Sequence, residues 1–313
     1  MDTFSFDKTG DFMIASIDIG TNSVLLLVAD KSHSGLTVIE ERQRIPRLGK
    51  NVDKEKNLHV DSQKRVIDVI KEYKNILMGI DPVIVGKTIV TATSAVRDAS
   101  NRDEFISRVK QETGWSIKVL SGKEEAVTTY RGALQVLNIK ENERYVILDI
   151  GGGSTEVATG TGLKLEDGFS IDMGSVRYSE RYLNSVIPDE FEINTARENI
   201  KAHLRRYSIP EKPFQLIGVA GTVTSIAAIQ MSLQQYLPQL INGYFLTKVE
   251  VAKFISEFSE ISSDEIENRY PDFLIGRGDV ILAGLLILDE FLDWYDETGI
   301  IVSTGGIRHG IIT

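Results

Sequence analysis

One motif occurs twice in this chain, and its recurrence limits the fold more than any other feature. Residues 14–30 read IASIDIGTNSVLLLVAD and residues 145–160 read YVILDIGGGSTEVATG. Each copy is an apolar run, then Asp-Ile-Gly, two further residues and a serine, then a second β-rich run. That pattern describes two strands joined by a tight glycine-containing turn. Asp18 and Asp149 occupy matching places 131 residues apart, far beyond the roughly 20–50-residue period of stacked repeats. Duplication on this scale implies two related α/β domains facing each other, and 313 residues suffice for both.

The segments between the copies fit this plan. Val66, Val69, Ile70, Tyr73, Ile76 and Leu77 recur at helical spacing. Residues 88–93 and 116–120 read as strands, and a helix capped at Ser100 is expected to close at Gly114. Another helix is expected over 122–137, with Val127, Tyr130, Leu134 and Leu137 on its apolar face. The second half repeats the mixture, with strands near 214–219 and 300–303 and helices near 189–206, 249–258 and 279–294. Alternation of this kind gives α/β layers. The expected division is 1–125 and 126–313, with a short hinge beside the helix near 122–137.

Composition narrows the function. A net charge of −10 and a pI near 5.1 argue against nucleic acid, whose partners carry basic faces, and against anionic membranes. Without cysteine there is no disulfide or thiolate chemistry, and the four histidines are scattered too widely for a histidine zinc site. Residues 1–12 lack the features of a secretory leader. The longest apolar run, residues 280–288, falls short of the roughly 20 residues that span a bilayer. A cytoplasmic protein is expected.

The two turns suit phosphate. Glycine removes side chains from between backbone amides and a ligand, so Gly151, Gly152 and Gly153 are candidate contacts. Thr21, Asn22, Ser23, Ser154 and Thr155 add neutral donors. Asp18 and Asp149, at strand ends, suit a hydrated Mg²⁺, which uses one or two carboxylates plus waters and phosphate oxygens. One such turn alone is as often a simple hairpin, but two matched copies favour a ligand. Neither copy fits the P-loop or dinucleotide-binding pattern. In the second copy Glu156 replaces Leu25 of the first, placing a carboxylate on the face of Ser154. Ser121 and Glu124 form a capping box, whereas Glu125 has no such role and lies off the apolar face. Glu125 therefore either faces the cleft or complements the helix dipole. Gly221 and Thr222, in GVAGTVTS, lead from a strand into a helix and suit an anion there. Arg97, Arg102, Arg47 and Lys50 flank these elements, and GGIRHG supplies Arg308. Taken singly, each of these cations reads as a solvated charge.

In order, IDIGTNSV, TATSAVRDASNRDEF, SGKEEA, LDIGGGSTE, AGTVTS, GRGDVILAG and GGIRHG resemble the exopolyphosphatase / guanosine pentaphosphate phosphohydrolase family. That family belongs to the superfamily of actin, sugar kinases and heat-shock-type chaperones. The resemblance runs from about Ile14 to the end. It implies two ribonuclease-H-like domains with mixed central sheets flanking a cleft, and a C-terminal helix after GGIRHG that crosses back onto the first domain. It also implies Mg²⁺-assisted hydrolysis of the terminal phosphate of polyphosphate, or of the 5′ γ-phosphate of guanosine pentaphosphate (pppGpp). Glu125 then falls on the catalytic glutamate, Asp149 and Glu156 on the acidic pair, and Arg97 on the phosphate-contacting arginine. Leu25 departs from the family, which often has a basic residue there. With little sequence after GGIRHG, the helical domains of longer members are not expected, nor processive digestion of long chains. The rival readings are an ATP-dependent kinase of the same superfamily and a non-catalytic sensor of polyphosphate or alarmone. A homodimer is left open. Because the whole chain is acidic, positive potential is expected only around the two turns.

Overall fold

The computed structural model describes residues 12–32 and 35–313. The duplicated motif becomes two sheets of matching order. In the first, β1 (Phe12–Ile19), β2 (Val24–Ser32) and β3 (Gly35–Arg44) form an antiparallel meander. β4 (Thr88–Ala92) and β5 (Ile117–Val119) add parallel to β1, giving the order β3-β2-β1-β4-β5. In the second, β6 (Arg144–Ile150), β7 (Thr155–Thr161) and β8 (Lys164–Ile171) repeat the meander. β9 (Gln215–Val219), β10 (Phe245–Thr247) and β11 (Gly299–Val302) complete the order β10-β11-β9-β6-β7-β8. β9 runs parallel to β6 and β11 parallel to β9, while β10 is an antiparallel addition at the edge. These are two mixed-sheet α/β domains of ribonuclease-H-like topology.

Each domain has its own core. Val66, Ile70, Tyr73 and Leu77 of the helix Val60–Ile80 pack with Ile17, Ile19 and Val28 of the first sheet. The helix Gly278–Tyr295 is buried along almost its whole length against the second sheet and the helices Glu190–Leu204 and Lys248–Phe258. Its apolar run is core, as a continuous hydrophobic stretch of this length should be. No helix among the described residues is long and apolar enough to cross a membrane.

Expected and observed elements mostly agree within a residue or two. One cap differs: the helix Arg102–Thr113 is preceded by Asn101, and no side chain caps it. The Asn101 amide instead accepts from the Leu58 amide and donates to the Leu58 carbonyl, at 2.8 and 2.9 Å. The helix Gly122–Gln135 runs unbroken through the expected boundary at 125/126. It lays Ala126, Tyr130, Ala133 and Leu134 on the second sheet, with Val127 only half-buried. We therefore propose its N-cap, Ser121, as the division between the domains.

The expected C-terminal helix lies inside GGIRHG, at Ile307–Gly310. After it, Ile311 and Ile312 cover Leu27 and Ala29 on the outer face of the first sheet. Backbones meet where this turn crosses the helix Gly122–Gln135. A Cβ on Gly310 would lie 1.9 Å from the Thr128 carbonyl oxygen, and one on Gly132 2.0 Å from that of Gly306. The crossing fixes Glu125, at the start of one helix, relative to Arg308 in the other. Gly310→Ala is expected to cost about 1–3 kcal/mol by overpacking, read as a lower Tm. Gly306→Ala, where the added methyl meets nothing within 4 Å, should leave Tm unchanged. Equal effects of the two would show that the contact does not hold the crossing.

Candidate active site

The two Asp-Ile-Gly turns are built identically. The Gly20 amide donates to the Ser23 carbonyl at 2.9 Å, and the Gly151 amide to the Ser154 carbonyl at 3.0 Å. Among the described residues, the amides of Thr21, Asn22 and Ser23, and of Gly152, Gly153 and Ser154, donate to no protein acceptor. Two sets of unpaired donors thus face one seam, the arrangement that binds anions. The turns also touch. A Cβ on Gly152 would lie 2.8 Å from Thr21 Cβ, and one on Gly153 2.5 Å from Ser94 Oγ. The Thr21 and Ser94 hydroxyls share a hydrogen bond of 2.9 Å. The consecutive glycines therefore permit close approach of the domains as well as access to backbone amides.

Beside the turns lies a cleft of about 800 Å³. Its walls include Asp18, Thr21, Asn22, Ser23, Glu125, Asp149, Gly151, Gly152 and Ser154, together with Gly221 and Thr222 from the opposite side. Gly221 and Thr222 open the helix Ala220–Gln230, whose N-terminus has no side-chain cap. The structure therefore assembles in one place most of the residues singled out from sequence.

Asp18, Glu125 and Asp149 line the cleft, and Glu156, buried beside Asp149, does not itself reach its wall. Asp18 lies across the strand pair from Leu25, and Asp149 across from Glu156, so the one difference between the repeats adds a carboxylate next to an existing one. Burial and then Asp149 raise Asp18 to about 7, against a hydrogen bond from Thr91. Burial raises Asp149 to about 6, moderated by a 3.0 Å bond from Thr129 Oγ1. Burial and then Asp149 raise Glu156 to about 8. Ser170 Oγ donates to Glu156 Oε1 at 2.6 Å, while Oε2 is buried without a partner. Glu125 is only 5 % exposed. Burial and the nearby Glu156 push its carboxyl well above the ordinary range, opposed by Arg97.

Several expected contacts take other forms. Arg97 is not at the cleft wall; its Nη1 donates to Glu125 Oε2 at 2.8 Å and to the Leu120 carbonyl at 3.1 Å. Thr155 lies on the other face of β7 from Ser154, and its hydroxyl donates to the Met173 carbonyl, so it offers no phosphate contact. The Gly153 carbonyl accepts from Arg177 Nε at 2.6 Å. Asp18, Asp149 and Glu156 do not come close enough together to grasp one ion as three direct ligands. The carboxylate group that does so among the described residues, Asp289, Glu290 and Asp293, is neutralised by Arg197 and Lys248. Of the flanking cations, Arg47 pairs with Asp279, Arg102 donates to the Arg97 carbonyl, and Lys50 is exposed.

The expected focus of positive side chains is also modified. Arg42, Arg44, Arg277 and Arg308 line the cleft together with Asp18, Glu41, Glu125, Asp149 and Asp272. Arg42, Arg44 and Arg308 are already paired with Glu40, Glu72 and Glu41. Arg277 has no ion pair or side-chain hydrogen bond among the described residues, and its guanidinium fills the space where a Cβ on Gly221 would sit. Nothing local in GRGDVILAG distinguishes this arginine from an ordinary solvated charge. The one signal for it was the glycine at 221, which makes room for it.

The fold is thus that of two ribonuclease-H-like domains with the candidate site in the cleft between them. The chain belongs to the Ppx/GppA phosphatase family, whose profile matches residues 27–313. It is 30 % identical to exopolyphosphatase 2 of Mycobacterium tuberculosis over 88 % of this chain and 89 % of that one. It is 35 % identical to a bifunctional 3-dehydroquinate synthase/phosphatase of Fusobacterium nucleatum, matching 96 % of this chain but spanning only 46 % of that protein. Among solved structures, a Ppx/GppA protein of Aquifex aeolicus is 32 % identical, with a TM-score of 0.80 and 97 % of each chain covered. An exopolyphosphatase-like protein is 28 % identical, with a TM-score of 0.88 and 96 % of each covered. Membership supports a hydrolase of the exopolyphosphatase kind.

The raised carboxylates link stability to pH. Folded Asp18, Asp149 and Glu156 hold protons that the unfolded chain releases at lower pH, so their contribution falls as pH rises from about 4 to 8. Glu156→Gln removes one of these groups. Without ligand or metal, its Tm relative to the unmutated protein should rise between pH 5 and pH 8. A difference independent of pH would contradict the assignment.

Proposed function

We propose that the chain hydrolyses a terminal phosphoanhydride, of inorganic polyphosphate or of the 5′ triphosphate of pppGpp, with water as acceptor. The observation that carries this reading is the buried Glu125 carboxylate, fixed by Arg97 at the wall of a cleft whose two turns present unpaired amides. In this scheme the turn amides and the Ser23 and Ser154 hydroxyls hold the oxygens of the terminal phosphate. Glu125 orients the attacking water and takes its proton. The water oxygen bonds to the terminal phosphorus as the bridging P–O bond breaks; the bridging oxygen departs with the shortened substrate, and the attacked phosphoryl group is released as orthophosphate. Arg97 keeps Glu125 from turning away and tempers the rise in its proton affinity.

The donor set suits one hydrated Mg²⁺. Asp149 and Glu156 are adjacent, and Glu156 Oε2 is a buried oxygen without a partner. Asp18 would act through a coordinated water. Bound there, the ion would neutralise charge on the transferred phosphoryl group.

A specific observation favours pppGpp as a substrate alongside polyphosphate. Tyr236, Phe273 and Ile275 line the cleft beside Arg277. A linear polyphosphate has no apolar surface to place on such a wall, whereas a nucleobase does.

Phosphate release from short polyphosphate, long polyphosphate, pppGpp and ATP, compared with Mg²⁺ present, tests the reading. Release that depended on an added phosphate acceptor would indicate a kinase, and tight binding without release a sensor. Glu125→Gln should lower kcat by about 10²-fold or more while binding persists. Arg277→Ala should raise KM by roughly tenfold, the loss expected for one charge-assisted contact, with a smaller change in kcat. An unchanged KM for every substrate would remove Arg277 from the binding site.

A further inference from the structure

We infer that Arg177 is a positioning residue that locks the phosphate-binding turn of the second domain to the first domain, so that the site is complete only when the domains are closed. The inference rests on the reading above that the two turns bind phosphate. Arg177 belongs to the helix Ser175–Tyr182 of the second domain and is 7 % exposed. Its guanidinium makes three contacts on three elements. Nε donates to the Gly153 carbonyl at 2.6 Å, Nη1 to Asp53 Oδ1 at 2.5 Å and Nη2 to Asp98 Oδ2 at 2.6 Å. Gly153 lies in the second turn, whereas Asp53 and Asp98 belong to the first domain.

The consequences follow from geometry. A trans peptide points its carbonyl and the next amide in opposite directions. Holding the Gly153 carbonyl on Arg177 therefore directs the Ser154 amide to the other side, and Ser154 lines the cleft. Asp98 immediately follows Arg97, which holds Glu125. One guanidinium thus joins the turn that would grip phosphate to the short helix that orients the catalytic carboxylate. The planar fork of arginine meets the three acceptors with three separate nitrogens, whereas the three donors of a lysine share one nitrogen and cannot reach all of them.

The seam is otherwise well sealed. Arg181 also pairs with Asp53, the Asn51 amide donates to Glu180 Oε1 at 2.8 Å, and a space of only about 20 Å³ lies beside Arg177. Burial pushes the Asp53 carboxyl up, but Arg181 and Arg177 outweigh it and hold Asp53 below the usual carboxylate range. The clasp therefore stays ionic at neutral pH. Pulling the domains apart separates Arg177 from both carboxylates, leaving it only the contact to its own domain.

The chain has no cysteine, so Glu104→Cys and Glu198→Cys, both at exposed positions, would accept a donor–acceptor dye pair that reports inter-domain distance. With only the two labelling cysteines introduced, a closed population is expected at low salt, shifting to longer distance in about 1 M NaCl. Salt stabilises these charges once separation exposes them, while the buried pairs themselves are screened little. Arg177→Ala should give the longer distance already at low salt and lose the salt response. Asp98→Asn, which alters the clasp from the other domain, should move the distance the same way. Arg177→Ala should also lower kcat about tenfold or more. Arg177→Lys should restore closure but not turnover, because it cannot also hold the Gly153 carbonyl. Unchanged distance and salt response in both Arg177→Ala and Asp98→Asn, with only Tm lowered, would overturn the clasp. Full turnover in Arg177→Lys would overturn the link to the turn. If the unmutated protein releases phosphate from no substrate, the hydrolysis reading fails while the distance measurements still decide the clasp.

Discussion

A carboxylate removed from water needs a proton, a cation or hydrogen-bond donors, and this protein removes four of them in one seam. Asp18, Asp149, Glu156 and Glu125 are each at most 8 % exposed. Burial on this scale is unfavourable for the charged form, and the surrounding structure reads as a response to it. Arg97 spends a guanidinium on Glu125, Thr129 and Ser170 donate to Asp149 and Glu156, and Thr91 donates to Asp18. The donors do not meet the whole need, since Glu156 Oε2 has none. What remains must come from protons or from a bound cation. That unfinished balance separates a binding site from an ordinary buried ion pair.

The duplication explains how the carboxylates came to lie close together. Two copies of one hairpin, placed face to face, bring the ends of β1 and β6 to the same seam, each with an aspartate and a turn of unpaired amides. The second copy then differs where difference matters. Glu156 takes the place of Leu25, so one half supplies most of the carboxylates and the other supplies a matching turn of unpaired amides. Close approach depends on small residues, and Gly152 and Gly153 meet Thr21 and Ser94 without room for a methyl group.

What could be read from sequence follows the same division. The hairpins, the Ser121 capping box and the unusual position of Glu125 are local features, encoded within a few residues, and the structure reproduces them. Arg177 and Arg277 are different. MGSVR and GRGDV look like ordinary loop and helix-start sequence, and their roles depend on residues distant in the chain, Gly153, Asp98 and Asp53 for Arg177 and Gly221 for Arg277. Local patterning also misassigned Thr155. A hydroxyl beside a glycine turn reads as a ligand donor, but alternation puts Ser154 on one face and Thr155 on the other, where its hydroxyl donates to the Met173 carbonyl. Arg97 reads locally as a phosphate contact, but its partner is Glu125, a contact that needs the helix Ser94–Asp98 and the start of Gly122–Gln135 side by side.

The net charge of −10 gains a physical meaning from this arrangement. An acidic protein that binds a polyanion does not need a basic surface if its cleft supplies charge in other forms. Here three of the four arginines at the cleft wall are paired with glutamates, which leaves Arg277 and the turn amides as donors without a protein partner among the described residues. Amide dipoles are fixed in place by the fold and are not removed by an ionised partner. On the proposed reading such a cleft selects by geometry, since only the end of a phosphate chain is small enough to sit between two turns. Closing the domains strengthens this selection, because excluding bulk water increases the effect of the same dipoles. The acidic composition and the phosphate reading are therefore compatible, and the seam between the domains is what makes them so.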